Sequence, residues 1–399
     1  MTKYFFILAI LVSISAFSQN TFKAISLEEA ISLAKANNIG LKIADKEIEK
    51  QTVLKKTALQ IDPLQVQYQG GQFNSKSYDH NVSVQQYFPI GKITKANRQL
   101  QEELAKLAEK RKAISEYEIE KAVTLSYYQY LFGLSIQKLN AELNAIYTKF
   151  LKNAELRFKT GESGNIEVIS AKAKVKEIET QKAQIDYDLA IYQKQFQYFL
   201  QTNENIVPDE NTPFKYATIT NENTLKVENL ITNYYQQQIS VYQKEASTFK
   251  AQKIPKLGLG YFAQSIDTKF LFQGFTVGLQ IPIFNNVNSA KIQASEISIS
   301  QSELELQKSK LTLKLQNQQL QDEFDKQKKG LDYYQNEGLQ YAEQIINTAQ
   351  KSYENGDMSY FNYISFLNQA IDIKKQYAES LNTYNQTAIQ LQFPSISNN

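Results

Sequence analysis

The sequence predicts a mainly α-helical chain with a small β portion, in which long, coiled-coil-like helical hairpins and four β-strands are arranged as two internal structural repeats. Three observations predict it. Four of the seven prolines fall at matched positions, the stretches they bound alternate apolar and polar residues, and the long segments between them carry apolar residues at steps of three and four. "VQQYFPIGKITKAN" at 84–97 and "VGLQIPIFNNVNSA" at 277–290 show the correspondence directly: an alternating stretch, a proline followed by isoleucine, then the start of a long helical segment.

The chain opens MTKYFFILAILVSISAFSQN, with a charged Lys3, an apolar run from Tyr4 to about Ser15 and a small-x-small site at Ala16-Phe17-Ser18. This pattern predicts a secretory signal peptide over residues 1–18 and a mature chain beginning near Gln19. The run is shorter than the roughly 20 residues that a helical bilayer span needs. No later segment is longer or more apolar, so strands must carry the chain into any membrane it enters.

Composition narrows the function classes. The 44 basic and 41 acidic residues are intermixed, and no basic block suggests a nucleic-acid surface. Cysteine is absent, which leaves no disulfide, no thiolate metal site and no cysteine nucleophile, and with His80 as the single histidine a transition-metal site or a Ser-His-Asp apparatus is hard to assemble. The carboxylates are scattered along helical faces, and no glycine loop cradles a phosphate. The expectation is a non-enzyme without cofactor or metal centre.

Taken in order, the first repeat covers 19–200. A helical stretch at 27–61 precedes strands at about 64–73 and 81–88, a long helix at 92–159, a turn near Gly161 and a helix at 165–200. A linker at 201–222 holds Pro208 and Pro213. The second repeat, 223–392, runs through a helix at 223–253, strands at about 256–264 and 270–281, a long helix at 288–354, a turn near Gly356 and a helix at 361–392, before a tail at 393–399. Pro63 and Pro255 are 192 residues apart, Pro89 and Pro282 are 193 apart, and Gly161 and Gly356 are 195 apart. The long helices hold one glycine (Gly133) in the first copy and two (Gly330 and Gly338) in the second. Each would be roughly 100 Å long. Tyr127, Tyr128, Tyr130, Phe132, Tyr333 and Tyr334 on them are expected to pack between helices.

In the strands, Leu64, Val66 and Tyr68 alternate with Gln65, Gln67 and Gln69, while Leu257, Leu259, Tyr261 and Ala263 alternate with Lys256, Gly258, Gly260 and Phe262. Their length matches the 9 to 11 residues of a tilted membrane strand. Phe73, Tyr87, Phe88, Phe262, Phe270 and Phe272 are placed as an interfacial girdle would be, and His80 is expected in an external loop. Four strands cannot close a barrel, so membrane insertion requires two, three or four chains. A periplasmic coiled-coil scaffold or adaptor without a pore is the competing reading.

The order of these parts, the strand ends "FPIG" and "IPIF", the turns "RFKTGESGNIEVISA" and "YENGDMSYFNYIS", and the N-terminal "LEEAISLAKANN" together resemble the outer membrane efflux protein (TolC) family over about Leu27 to Leu391. "PKLGLGYFAQ…FQGFTVGLQIPIF…AKIQA" is similar to the branch that accompanies heavy-metal resistance-nodulation-division pumps. The resemblance implies a homotrimer in the outer membrane of a Gram-negative bacterium, with a twelve-stranded β-barrel in lipid and a twelve-helix α-barrel in the periplasm. It also implies a passive duct of a tripartite efflux system for small molecules or metal ions, docked by a periplasmic adaptor (membrane fusion) protein and driven by an inner-membrane pump of the resistance-nodulation-division type.

By the same resemblance, Arg157, Phe158, Gly161, Glu162, Ser163 and Gly164 in the first turn, and Tyr353, Gly356, Asp357, Met358, Ser359 and Tyr360 in the second, match adaptor-docking tips. The glycines also read simply as left-handed helix terminators. Positions that line the closed aperture in the family fall on Glu167, Ser170, Asn362 and Ser365. Only Glu167 is acidic, so cation block is expected to be weaker than in members with two carboxylate rings. A solvated helix-face glutamate is the alternative for that residue.

Overall fold

A computed structural model describes residues 22–216, 222–283 and 286–396. The predicted signal peptide, part of the linker and the last three residues of the tail lie outside them. The organising element is α3 (Ile93–Lys159), 67 residues without a proline. It packs against α4 (Asn165–Leu200), α5 (Glu222–Ala251) and α8 (Tyr360–Gln392). Gly133 makes the α3–α4 approach close: a Cβ there would sit 2.8 Å from both Leu189 Cδ2 and Tyr192 Cδ2.

The second long segment is not one continuous α-helix. It comprises α6 (Asn286–Tyr333), a π-helical turn at Tyr334–Gly338 and α7 (Leu339–Glu354). Between Pro89 and Gly161 there are 72 residue steps, and between Pro282 and Gly356 there are 74. A π turn holds one residue more than an α turn, so it absorbs one of those extra residues without breaking the rod. Gly330, expected to interrupt the helix, lies inside α6.

The N-terminal stretch expected at 27–61 is likewise divided. A capping box formed by Ser26 and Glu29 starts α1 (Leu27–Asn37). At Asn38 the backbone turns out of the helix, and its side chain accepts the Leu41 N–H at 3.0 Å to begin α2 (Ile39–Leu54). A short 3₁₀ turn at Lys55–Ala58 follows.

Two three-residue strands escaped the sequence reading: β1 (Lys23–Ile25) and β4 (Ile206–Pro208) pair in parallel. They are too short for a periodicity to register. The Tyr127 hydroxyl donates to the Ile25 carbonyl at 3.0 Å and meets Thr212 Oγ1 at 2.9 Å. Asn385, fully buried, accepts the Tyr216 N–H at 2.8 Å and donates to the Phe214 carbonyl. Tyr117 donates to the Pro394 carbonyl at 2.9 Å. The N-terminal strand, the linker and the C-terminal tail are thus tied to the middle of α3, where Tyr127, Tyr128 and Tyr130 are buried as packing residues. Burial holds the Tyr128 and Tyr216 phenols up at about 12.

The four longer strands, β2 (Gln65–Gly71), β3 (Asp79–Pro89), β5 (Lys256–Ile266) and β6 (Lys269–Gln280), form one antiparallel sheet in the order β2-β3-β5-β6. Pairing of β3 with β5 joins the two sequence hairpins, and β2 and β6 remain as edges. β3 starts two residues earlier than expected. The buried Asp79 carboxylate accepts the Ser75 hydroxyl at 2.9 Å and the Asp267 N–H at 3.0 Å, which knits the two hairpin turns together. His80 is therefore a strand residue rather than a loop residue, with Nδ1 2.8 Å from the Tyr68 hydroxyl and its ring stacked on Phe270.

Candidate functional site

Two features of the chain are candidates for function: the faces of the sheet, and the two helical turns at the far end of α3 and α7. On the sheet, the register aligns Val66, Val84, Tyr261 and Phe275 in one row, and Phe88, Leu257 and Leu279 in another. This face is apolar yet open: Val66, Phe275 and Val277 are 67%, 85% and 72% exposed. The reverse face carries Gln67, Ser83, Gln85, Thr276 and glycines. Tyr87 and Phe262, expected among the girdle aromatics, lie here instead. They cover Gly258 and Gly274, where an added Cβ would come within 2.8 and 2.7 Å of the respective rings.

The turns are hydrogen-bonded alike. In the first, Thr160 N–H donates to Leu156 O at 3.0 Å, Gly161 N–H to Phe158 O at 3.2 Å and Glu162 N–H to Arg157 O at 2.8 Å. In the second, Asn355 donates to Lys351, Gly356 to Tyr353 and Asp357 to Ser352, at 3.0, 3.1 and 2.8 Å. Every partner is displaced by the same 195 residues. Both glycines have positive φ, +80° at Gly161 and +83° at Gly356, where an L side chain is strained. The helices restart differently. Gly164 precedes α4 without a side-chain cap, whereas the Ser359 hydroxyl accepts the Asn362 N–H at 3.4 Å to cap α8.

The expected tip residues do not all share one surface. Tyr353 is buried, and Met358 and Tyr360 are half-buried against the same cluster as Phe150, Val168 and Leu367. Phe158, Glu162 and Asp357 are exposed. Tyr353 stacks on Tyr363 with ring centroids 4.8 Å apart, and the Arg157 guanidinium lies over the Tyr353 ring, 4.9 Å from its centroid. Its hydroxyl donates to Glu167 Oε2 at 3.2 Å, a link from α7 to α4. Burial, then the Glu167 carboxylate, hold the Tyr353 phenol above its ordinary range, with Arg157 acting in the opposite sense. Arg157 also approaches Glu162 at 3.9 Å.

Of the aperture positions, Glu167 is thus bound within the chain rather than simply solvated. Ser170 and Ser365 line one groove between α4 and α8, together with Tyr360 and Asn368. Asn362 and Ser365 are exposed. Phe150 and Tyr363, which build the aromatic stack beneath the turns, were not singled out from the sequence. Their helical spacing from the glycines carried the signal, since Tyr363 is ten residues after Tyr353 and the two are brought face to face by the intervening turn. Among the described residues no group of three or more histidines, cysteines or carboxylates could hold a metal ion.

No family model and no curated protein matches the sequence. Solved structures do match. The outer-membrane channel OprN superposes with a TM-score of 0.73 at 11% identity, covering 92% of this chain and 89% of that one. The chain has an outer-membrane channel fold. The outer membrane protein VceC of Vibrio cholerae aligns at 0.67, with 14% identity over 92% and 95% of the two chains. The open state of the Neisseria gonorrhoeae MtrE outer membrane channel aligns at 0.62, with 12% identity over 92% and 88%. Within this channel fold, the open apolar sheet face and the paired turns stand at opposite ends of the long helices.

Proposed function

We propose that this protein is the outer-membrane duct of a tripartite efflux system. One observation carries the reading: a four-stranded sheet with an exposed apolar face and two unpaired edges continues, through α3 and α6, into helices that extend roughly 100 Å away from it. Open edges are not tolerated in hydrocarbon, so insertion demands closure with further copies. Three copies supply twelve strands, and the two repeats of each copy supply the helical wall beneath. The apolar face then meets lipid, and the face bearing glutamine, serine and glycine lines the lumen.

In this reading the turns at Gly161 and Gly356 face the cell interior and are docked by a periplasmic adaptor, with exposed Phe158, Glu162, Asp357 and Ser359 as the contacting residues. An inner-membrane pump supplies the energy and selects the substrate. The Tyr353–Glu167 link joins the two hairpins of one chain and would restrain their separation, which makes it a candidate closing element for the aperture near Ser170, Asn362 and Ser365.

Fractionation of cells producing the full chain tests the assignment. The protein should stay with the outer membrane through salt and alkaline washes, require detergent for release, and yield a cross-linked trimer after extraction. Release by salt as a monomer would favour the pore-less scaffold.

A further inference from the structure

Charge is distributed very unevenly between the two ends of the sheet. At the turns, 72–79 and 265–270, the chain carries Lys76, Asp79, Asp267 and Lys269, which cancel. At the helical end the balance is different. Lys55, Lys56, Lys92, Lys95, Arg98, Lys250, Lys253, Lys256 and Lys291 lie at the junctions of strands and helices and in the helical turns beside them, where the acids Asp62, Glu102 and Glu296 pair with Lys256, Arg98 and Lys250. The apolar face passes into this basic collar within a few residues: Phe88 and Ile90 are exposed, and so are Lys92 and Lys95.

The collar contains a groove. It lies where β3 and β5, paired as far as Pro89 and Lys256, meet α3 and α5. Lys92, Lys95 and Lys250 line it together with Gln99, Ser247 and Ile254, and no carboxylate does. Among the described residues, Lys92 and Lys95 have no carboxylate within ion-pair distance, and Lys250 has only Glu296, at 3.9 Å. Lys92 and Lys95 carry unpaired positive charge at this groove, with Lys250 shared with Glu296, so an anion placed there is electrostatically favoured. The exposed apolar residues immediately beside the groove fit acyl chains rather than water.

We infer that this groove binds the phosphate of an anionic phospholipid headgroup in the leaflet that faces the helices. The inference rests on the strands lying in a membrane, as proposed above. The collar then fixes the depth of the sheet, with lysines drawn to the anionic surface just beyond the hydrocarbon.

Full-length protein purified in zwitterionic detergent provides the test, by lipid titration read through intrinsic tyrosine fluorescence and the thermal unfolding midpoint. Phosphatidylglycerol should bind and raise the midpoint, whereas phosphatidylcholine should not. A K92Q/K95Q/K250Q variant should bind phosphatidylglycerol at least about 10-fold more weakly, and K92R/K95R/K250R should retain binding. An unshifted midpoint for the glutamine variant in detergent alone verifies that it folds. Equal binding of the two lipids, equal binding by wild type and the glutamine variant, or full displacement by millimolar inorganic phosphate would each overturn the inference. Conductance in a phosphatidylcholine bilayer separates the two proposals. A conducting channel without lipid preference refutes only the collar, whereas a protein that never enters a bilayer refutes the duct.

Discussion

Tyr353 gathers more of the tip's interactions than any other side chain described there, because its ring is stacked by Tyr363 and Arg157 while its hydroxyl reaches Glu167. Tyr353→Phe keeps the stack and removes the hydrogen bond. It should cost about 1 kcal/mol of stability and, if the link restrains the aperture, lengthen open intervals in single-channel records. An unchanged open probability would confine Tyr353 to packing. The same cluster predicts an alkaline response. Burial pushes the Tyr363 phenol up to about 12, well above the ordinary tyrosine value of about 10. The protonated form is favoured in the fold, so its contribution is complete below pH 10 and falls as pH rises from there towards 12, by about 1.4 kcal/mol per pH unit. Thermal unfolding between pH 8 and 11 should show the decline, and Tyr363→Phe should make it shallower by one group's share, with Tyr128 and Tyr216 keeping theirs. At Gly161 and Gly356 the backbone requires positive φ. Alanine at either should cost about 1 kcal/mol and accelerate amide exchange at Glu162 or Asp357, whose N–H groups close the turns. Both glycines were legible as turns from sequence alone. The Tyr353–Glu167 bond was not, because its partners are 186 residues apart and belong to different hairpins.

At the scale of elements, legibility followed local chemistry. α3 could be bounded closely because Pro89 lies just ahead of it and Gly161 follows it, and Gly164 marks the start of α4, whose far end is turned by a left-handed Gln201 rather than by glycine or proline. The break at Asn38 was hidden, since asparagine serves there as a cap and the apolar-polar pattern runs on through it, with Gly40 set inside the first turn of α2 rather than at the break. The π turn was hidden too: its only trace was the change in offset from 193 to 195, which counts residues without saying where they go. Tyr87 and Phe262 sit opposite glycines on neighbouring strands, a cross-strand relation that alternation within one strand does not reveal. Contact across α3–α4 depends on the absence of a side chain at Gly133. Gly133→Leu should therefore force the helices apart and destabilise the protein by about 1–3 kcal/mol, measurable by thermal unfolding in detergent. A variant as stable as wild type would show that the interface has slack.

For the whole molecule, the order of parts could be read from sequence because proline spacing and period marked the strands and rods in turn. The assembly could not, since edges at β2 and β6 say that a partner is needed without counting the copies. A single chain in water leaves the apolar sheet face exposed, and closure with further copies in lipid removes that exposure. Single-channel conductance of the detergent-purified oligomer in a planar lipid bilayer is the most direct measurement of the central claim. Discrete, long-lived current steps are predicted, lengthened or enlarged when the Tyr353–Glu167 link is removed. Electrical silence from protein shown to be folded and oligomeric would contradict the duct.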